Sequence, residues 1–267
     1  MTMPLVHLLP HARSPEETRI ALESHAPWFY PFAFEDDIVA RSEGETVDAV
    51  HDARARLLFP LLDQLLAGRW SQARCLDIGC HEGWFTSQVA IRGAREVLAM
   101  DVRDEHLERA GLIRELAGLH QVTFEKGSVY ELPERDLGTF DLTLCLGLLY
   151  HLDEPMAALR ALRSVTRSLC AIETQVARAG ADLGCTWGAD TNFREGPGIA
   201  VVSSDQQHVE GDRNVVLVPT LQALYDMLHA VGFDRLYLCV PDRSLFEQYP
   251  SYDRVVLVAQ VIDDARE

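Results

Sequence analysis

Positive charge is scarce in this sequence. The 267 residues include 24 lysines and arginines against 41 aspartates and glutamates, which gives a formal net charge of -17 at pH 7. An electrostatic field of this sign repels phosphate backbones unless a local basic patch outweighs it. The composition therefore disfavours nucleic acid as a partner.

Long apolar runs are absent as well. No stretch approaches the roughly 18 uninterrupted apolar residues of a membrane span. The N-terminus also lacks a basic region followed by an apolar run, the pattern of a secretory signal. We therefore expect a soluble, cytoplasmic protein without a membrane partner.

The six cysteines have neither the CxxC spacing of metal or redox sites nor the density of a disulfide-bonded secreted domain. Those within apolar runs, Cys75, Cys145, Cys170 and Cys239, are interpreted as small core residues. Cys80 differs because it lies in a glycine-containing loop. No base that could activate its thiol is identifiable, so it too is interpreted as a packing residue.

From Arg74 onward, short apolar runs alternate with amphipathic segments, and 48% of the chain is hydrophobic, enough for a sizeable core. This alternation predicts an α/β fold, Rossmann-like and doubly wound, with helices on both faces of a mostly parallel sheet. The last two runs are joined by too short a segment for a helical crossover, so we expect an antiparallel C-terminal strand. The seven predicted strands are Arg74–Ile78, Glu96–Asp101, Val122–Lys126, Phe140–Leu146, Ser168–Glu173, Leu236–Val240 and Val255–Val261, and the predicted helices of this region are Gly83–Arg92, Glu105–Leu116, Pro155–Val165 and Leu221–Val231.

Two further segments are predicted outside this core, an N-terminal extension and an insertion. Residues 1–70 are predicted to form a helical and aromatic extension, with Ser14 capping one helix and a second helix over Glu45–Leu66. The aromatic cluster Trp28–Phe32 packs on the core or forms a lid over a ligand, and Tyr30 is a candidate substrate contact. Residues 71–267 form the main domain, with a polar insertion at about 177–214 that is long enough to bind substrate.

A glycine pair, Gly79 and Gly83, marks the turn from the first core strand into its helix. Glycine permits close approach of the backbone to a ligand at the carboxyl end of the sheet. Asp101 ends the next strand 22 residues after Gly79, at about the spacing of an acidic residue that binds ribose hydroxyls. With the segments Lys126–Tyr130 at the end of the third strand and Cys145–His151 at the end of the fourth, the set predicts a nucleoside-binding site.

The run Leu76-Asp77-Ile78-Gly79-Cys80, Asp101, and the run Leu146-Gly147-Leu148-Leu149-Tyr150-His151 resemble class I S-adenosylmethionine-dependent methyltransferases. The closer resemblance is to the subgroup of tRNA wobble-uridine carboxymethyltransferases and related small-molecule methyltransferases, from about Trp28 to the C-terminus. The resemblance implies S-adenosyl-L-methionine as cofactor and S-adenosyl-L-homocysteine as product. Within it, Gly79 lies against the cofactor, Asp101 binds the ribose, Ser128 and Val129 flank the adenine, and Leu146 packs beside it. The full predicted cofactor-binding set is Asp77, Gly79, Glu82, Asp101, Val102, Ser128, Val129 and Leu146.

Glu82 has two interpretations: contact with the methionine ammonium group of the cofactor, or capping of its own helix. A metal at His81 and Glu82 is disfavoured because too few further ligands converge there, and His106 and Glu105 belong to another helix start. We therefore predict no metal site.

The acceptor side is predicted from three residues. His151 is the candidate general base, since imidazole titrates near neutrality, and its alternative is a structural role at the next helix. Tyr150 either hydrogen-bonds the acceptor or lines the pocket. The resemblance gives Tyr150 and Arg254 contacts with the carboxylate of a carboxylated cofactor, and the alternative for Arg254 is a surface arginine. Three other basic residues, Arg194, His208 and Arg213, are interpreted as solvated.

The leading hypothesis is methyl transfer to a small polar metabolite or natural-product intermediate. The alternative is methyl or carboxymethyl transfer to a tRNA wobble uridine, although the lysine-rich segment of those enzymes has no counterpart between Trp28 and His51. A dinucleotide-dependent oxidoreductase is disfavoured because His81 replaces the second glycine of GxGxxG. A non-catalytic cofactor-binding module is the remaining alternative.

Overall fold

The computed structural model describes residues 6–42, 44–177, 199–203 and 215–262. The chain divides into two compact units, here called unit 1, which extends to residue 128, and unit 2, which begins at residue 129. The structure thus groups the described part of the N-terminal extension with the first three core strands. The boundary expected near residue 70 stays a prediction.

Unit 1 begins with a capped helix, as expected. The Ser14 hydroxyl accepts a hydrogen bond from the Glu17 amide, and the Glu17 carboxylate accepts one from the Ser14 amide. The predicted helix over Glu45–Leu66 is confirmed at both ends. The elements are α1 (Pro15–Ser24), β1 (Phe32–Ala33), β2 (Val39–Ala40), α2 (Glu45–Leu66), a 3₁₀ turn (Trp70–Gln72), β3 (Arg74–Ile78), α3 (Trp84–Ile91), β4 (Glu96–Asp101), α4 (Asp104–Ala117) and β5 (Val122–Lys126).

Unit 2 contains the second half of the α/β alternation, then the antiparallel C-terminal pair. The expected cap of its last helix is confirmed, since the Thr220 hydroxyl accepts a hydrogen bond from the Ala223 amide. The elements are two 3₁₀ turns (Val129–Glu134 and Leu149–His151), β6 (Phe140–Leu146), α5 (Pro155–Val165), β7 (Thr166–Gln175), β8 (Ile199–Ser203), β9 (Val215–Pro219), α6 (Leu221–Ala230), β10 (Arg235–Leu238) and β11 (Arg254–Gln260).

Seven strands form one sheet in the order β10-β11-β7-β6-β3-β4-β5. Strands β3, β4 and β5 pair in parallel, as do β6 and β7, whereas β11 is antiparallel to both of its neighbours. Residues of β3, β4 and β6 are buried almost throughout, as expected for strands covered on both faces. The predicted Rossmann-like, mostly parallel sheet with an antiparallel C-terminal strand is confirmed.

The structure contains a strand that the sequence did not predict. β8 lies within the polar insertion at 177–214 and pairs antiparallel with β9, from Ile199 opposite Pro219 to Ser203 opposite Val215. The apolar run of β8 is too short to show a sustained period, and its pairing partner lies after the segment. Residues 178–198 and 204–214 are outside the described part of the chain. They include Cys185 and the three basic residues interpreted as solvated, Arg194, His208 and Arg213.

The cysteines behave largely as predicted. Cys75, Cys145 and Cys170 are buried, whereas Cys239 is only partly buried because it follows the end of β10. Cys80 is also buried, and burial raises the pKa of its thiol well above the ordinary value. A thiol in this state is a poor nucleophile, which supports its interpretation as a packing residue.

Among the described residues, no helix combines the length and apolar character needed to cross a membrane.

Candidate functional site

The glycine loop is the tight turn between β3 and α3, over residues 79–83. Gly79 and Gly83 have φ values of 72° and 77°, in the left-handed region that favours glycine. A Cβ at Gly83 would lie only 3.1 Å from the Cβ of Ala110 and 3.1 Å from the ring of Phe124. Glycine is therefore required at residue 83, because any side chain there would crowd Ala110 of α4 and Phe124 of β5.

Asp101, at the end of β4, lies directly against this loop. Its Oδ2 accepts a hydrogen bond from the His81 amide at 2.9 Å, and its Oδ1 accepts one from the Arg103 amide at 3.0 Å. His106 Nδ1 lies 3.2 Å from the same Oδ1. Burial raises the pKa of Asp101, but these hydrogen bonds and the electrostatic effect of His106 together outweigh burial and leave the pKa below its ordinary value. The carboxylate is therefore ionised at neutral pH and can accept further hydrogen bonds.

Asp77 is different, because it is 2% exposed and its Oδ2 accepts a hydrogen bond from the Thr86 hydroxyl at 2.5 Å. Burial raises its pKa to about 6. The contact joins β3 to α3, and the role of Asp77 in cofactor binding stays a prediction.

A pH experiment tests the state of Asp77. Its raised pKa means that the folded state binds more protons than the unfolded state between about pH 4 and pH 6, so this group lowers stability as the pH rises through that window. Asp77→Asn should therefore be up to about 3 kcal/mol more stable than wild type near pH 8 and close to wild type near pH 4. Urea unfolding at both pH values measures the difference, and an equal difference at both would contradict the assignment.

Three rings stack beside Asp101. The ring of Phe29 lies 4.5 Å from that of His81, and the ring of His81 lies 3.6 Å from that of His106, with interplanar angles of 25° and 23°. His106 was not predicted as part of this site and was assigned only to another helix start. Its position in the first turn of α4, five residues after Asp101, was the available signal.

Glu82 is a buried carboxylate, 2% exposed, with three donors. Its Oε2 accepts hydrogen bonds from the amides of Phe29 and Tyr30 at 2.9 and 3.1 Å, and its Oε1 lies 2.9 Å from Arg109 Nη1. Both carboxylate oxygens of Glu82 therefore have partners within unit 1, and the side chain does not cap α3. Its predicted contact with the cofactor ammonium group stays a prediction.

Tyr30 is 6% exposed, because its ring packs among other rings of unit 1. The ring of His51 is 4.0 Å away, and those of His81 and Trp84 lie at 5.5 and 6.3 Å. The structure therefore places Tyr30 in the interior of unit 1, and its contact with substrate stays a prediction. Phe29, at 41% exposed, is the more accessible ring. Beside it, a cavity of about 490 Å³ is bordered by Trp28 and the Glu82–Arg109 pair.

In unit 2, Arg254 forms a buried ion pair. Its Nη1 lies 2.8 Å from Glu173 Oε1, which also accepts a hydrogen bond from the Tyr249 hydroxyl at 3.1 Å. Arg254 is 7% exposed and Glu173 is fully buried, so the surface-arginine alternative is wrong. Burial lowers the pKa of Arg254, but the charge and hydrogen bond of Glu173, together with the nearby Tyr150 and Tyr249, outweigh burial and raise the pKa above its ordinary value. Glu173 was not predicted as the partner of Arg254.

Tyr150 joins the same cluster. Its hydroxyl lies 3.5 Å from Arg254 Nη1, and the guanidinium lies 4.9 Å from the centre of its ring. The ring of His151 is 4.1 Å from that of Tyr150. Unit 2 therefore brings together the three residues predicted on the acceptor side.

The other predicted cofactor contacts are distributed over both units. In unit 1, Val102 is 37% exposed and Ser128 is partly buried. In unit 2, Val129 is 1% exposed and Leu146 is 7% exposed. Their roles stay predictions. Within the described residues, no group of three or more His, Cys, Asp or Glu side chains is arranged to hold a metal ion.

A sequence family described as a methyltransferase domain matches residues 75–169. Over this range, the chain is similar to methyltransferase domains. The matched range includes the glycine loop, Asp101, Tyr150 and His151. Arg254 lies beyond it, in β11.

Two kinds of curated relatives are similar to parts of this chain. One is named ubiquinone biosynthesis O-methyltransferase, from Neisseria meningitidis serogroup C, and is 31% identical over 94 residues, which cover 35% of this chain and 40% of the relative. The other is named tRNA U34 carboxymethyltransferase, from Campylobacter hominis, and is 34% identical over 122 residues, which cover 42% of this chain and 36% of the relative. The chain spans only about two fifths of the length of the curated relatives it matches.

Solved structures share the fold over more of the chain. The N-terminal domain of EvdMO1, crystallised in the presence of S-adenosylhomocysteine (SAH) and D-fucose, has a TM-score of 0.66 at 24% identity, covering 94% of this chain and 98% of that domain. Magnesium protoporphyrin IX methyltransferase from Synechocystis PCC 6803, with bound SAH, has a TM-score of 0.57 at 17% identity, covering 83% and 90%. These likenesses support the Rossmann-like fold around the methyltransferase domain.

Proposed function

We propose that the protein is a cytoplasmic S-adenosylmethionine-dependent methyltransferase that acts on a small polar metabolite or natural-product intermediate. The observation that carries the proposal is the contact between the glycine loop and the ionised carboxylate of Asp101. A turn of this kind lets a ligand approach the backbone, and an ionised carboxylate accepts the two hydrogen bonds of a ribose diol. The described residues therefore fit an adenosine cofactor.

When bound, the cofactor supplies a sulfonium methyl group, which moves to the acceptor by an SN2 displacement that leaves SAH. The protein then has two tasks: to align the acceptor atom with the methyl carbon, and to exclude water. No covalent nucleophile is required of the chain.

We assign proton transfer to unit 2. A hydroxyl acceptor loses its proton as the new oxygen–carbon bond forms, and His151 receives that proton. Tyr150 orients the acceptor through its hydroxyl, and the adjacent ion pair of Arg254 and Glu173 holds Tyr150 in place. In this arrangement Arg254 acts on the substrate through Tyr150, while direct contact with a substrate carboxylate stays a prediction.

A small acceptor with a hydroxyl group is favoured by two observations. The net charge of -17 repels polyanionic substrates. The relatives named for ubiquinone biosynthesis are O-methyltransferases, and the EvdMO1 domain was crystallised in the presence of a sugar, D-fucose. Fold alone does not specify an acceptor, so these likenesses support the class of acceptor rather than its identity.

The second candidate is transfer to a tRNA wobble uridine. It is favoured by similarity to the tRNA U34 carboxymethyltransferase of Campylobacter hominis and by the presence of Tyr150 and Arg254 in one cluster. The charge balance of the chain weighs against it.

The experiment is a transfer assay that detects SAH. The protein is incubated with S-adenosylmethionine and, in separate reactions, with hydroxylated aromatic compounds, deoxysugars and unmodified tRNA. Turnover with a small hydroxyl compound, slowed in His151→Gln while SAH affinity is unchanged, is the expected result. Turnover with tRNA alone would replace the first candidate by the second.

A further inference from the structure

Residues 27–31, here called the aromatic segment, are hydrogen-bonded to the glycine loop and to the start of α3. The Glu82 carboxylate accepts hydrogen bonds from the consecutive amides of Phe29 and Tyr30, which precede it by 53 and 52 positions. The indole nitrogen of Trp84 donates to the Pro31 carbonyl at 2.9 Å. The position of the aromatic segment therefore depends on the conformation of the glycine loop.

Arg109, from α4, contacts both Glu82 and the aromatic segment. Its Nη1 pairs with Glu82 and also donates to the Pro27 carbonyl, and its guanidinium lies 5.5 Å from the ring centre of Trp28. The Glu82 side chain is 2% exposed and that of Arg109 is 30% exposed. Because a buried carboxylate needs a compensating charge and hydrogen-bond donors, Glu82 and Arg109 stabilise the segment as a pair.

These hydrogen bonds and the ion pair determine the position of the Phe29 ring. With its amide held by Glu82, Phe29 stacks on His81, and His81 stacks on His106. The stack reaches Asp101 twice, through the His81 amide and through His106 Nδ1. A displaced aromatic segment would remove the outer ring of the stack and leave one face of the His81 ring uncovered.

We propose that Glu82 and Arg109 are positioning residues that keep Phe29 and His81 as a preformed wall beside the cofactor-binding carboxylate of Asp101. This inference rests on the proposed function, since it assigns residues that shape the same cofactor site. A preformed wall raises affinity because its side chains need not be ordered when the cofactor binds. Glu82 and Arg109 act through the two rings and the loop, without a required contact with the cofactor.

The test measures the Kd and the dissociation rate of SAH by titration and stopped-flow fluorescence. Glu82→Gln and Arg109→Ala should each raise the Kd about 10-fold, equivalent to about 1.4 kcal/mol, mainly through faster dissociation. Arg109→Lys, which keeps the charge, should recover part of the loss. Phe29→Leu, which leaves the ion pair intact and removes the outer ring, should also raise the Kd.

A matched control separates positioning from general stability. Arg74 and Glu96 form another ion pair of unit 1 at 3.0 Å, away from the glycine loop. Glu96→Gln should leave the Kd of SAH unchanged. All titrations are made well below the melting temperature of each variant, so that loss of folded protein does not change the measured Kd.

Three outcomes are distinguishable. Weaker binding in the Glu82, Arg109 and Phe29 variants, with partial rescue by Arg109→Lys, supports the inference. Wild-type affinity in the Arg109 and Phe29 variants, while Asp101→Ala loses binding, overturns the inference and leaves the proposed function standing, even if Glu82→Gln does not fold. Failure of the wild-type protein to bind SAH overturns the proposed function itself, and the inference with it.

Discussion

Asp101→Ala is expected to weaken the binding of SAH by about 100-fold. The ionised carboxylate accepts hydrogen bonds from the ribose in the proposed function, and hydrogen bonds to a charged group contribute about 1.5–3 kcal/mol each. The low pKa of Asp101 keeps the charge in place at neutral pH. Isothermal titration of wild type and variant with SAH measures the effect.

Two controls accompany this prediction. Asp101→Asn keeps the shape and one acceptor oxygen, so its loss should be intermediate. Asp104→Ala removes a nearby carboxylate that is 70% exposed and pairs with Lys126, and it should leave the Kd unchanged. An Asp101→Ala variant that binds SAH like wild type would contradict the assignment of the ribose site.

Glu173→Ala is expected to lower the free energy of unfolding by about 3–5 kcal/mol. The substitution leaves the buried guanidinium of Arg254 without its carboxylate, and an uncompensated buried charge is strongly destabilising. The Tyr249 hydroxyl loses its acceptor at the same time. Urea denaturation measures the change as a shift of the unfolding midpoint.

The double variant Glu173→Leu with Arg254→Met should recover much of this loss, because it removes both charges together. Glu131→Gln is the control, since it breaks the partly exposed pair with Arg135 and should cost less than about 1 kcal/mol. If Glu173→Ala lowered the free energy of unfolding by less than about 1 kcal/mol, another group would compensate the charge of Arg254, and the assigned ion pair would be wrong.

The sequence predicts local features of this fold well. A capping box identifies the start of α1, the apolar spacing in Glu45–Leu66 gives both ends of α2, and the glycine pair marks the turn after β3. Each signal lies within a few residues of the feature it predicts. The alternation of strands and helices then fixes the parallel sheet, because parallel neighbours need crossovers.

Contacts between distant residues were missed. Glu173 and Arg254 are 81 positions apart, and Glu82 meets Phe29 across 53 positions. In the sequence, Glu173 is the polar last residue of the predicted strand Ser168–Glu173, and Glu82 is a single acidic residue before the start of α3. Their partners depend on the register of β7 with β11 and on the path of the aromatic segment, which no local pattern specifies. The strand β8 was missed for the same reason, since its partner β9 is the evidence for it.

The proposed function depends above all on binding of S-adenosylmethionine by the glycine loop and Asp101. Parallel calorimetric titration of the wild-type protein with SAH, carboxy-S-adenosylmethionine and NAD measures this binding. We expect saturable binding of SAH with one site per chain, weaker binding of the carboxylated cofactor and no binding of NAD. Binding of NAD without binding of SAH would show that the cofactor is assigned wrongly.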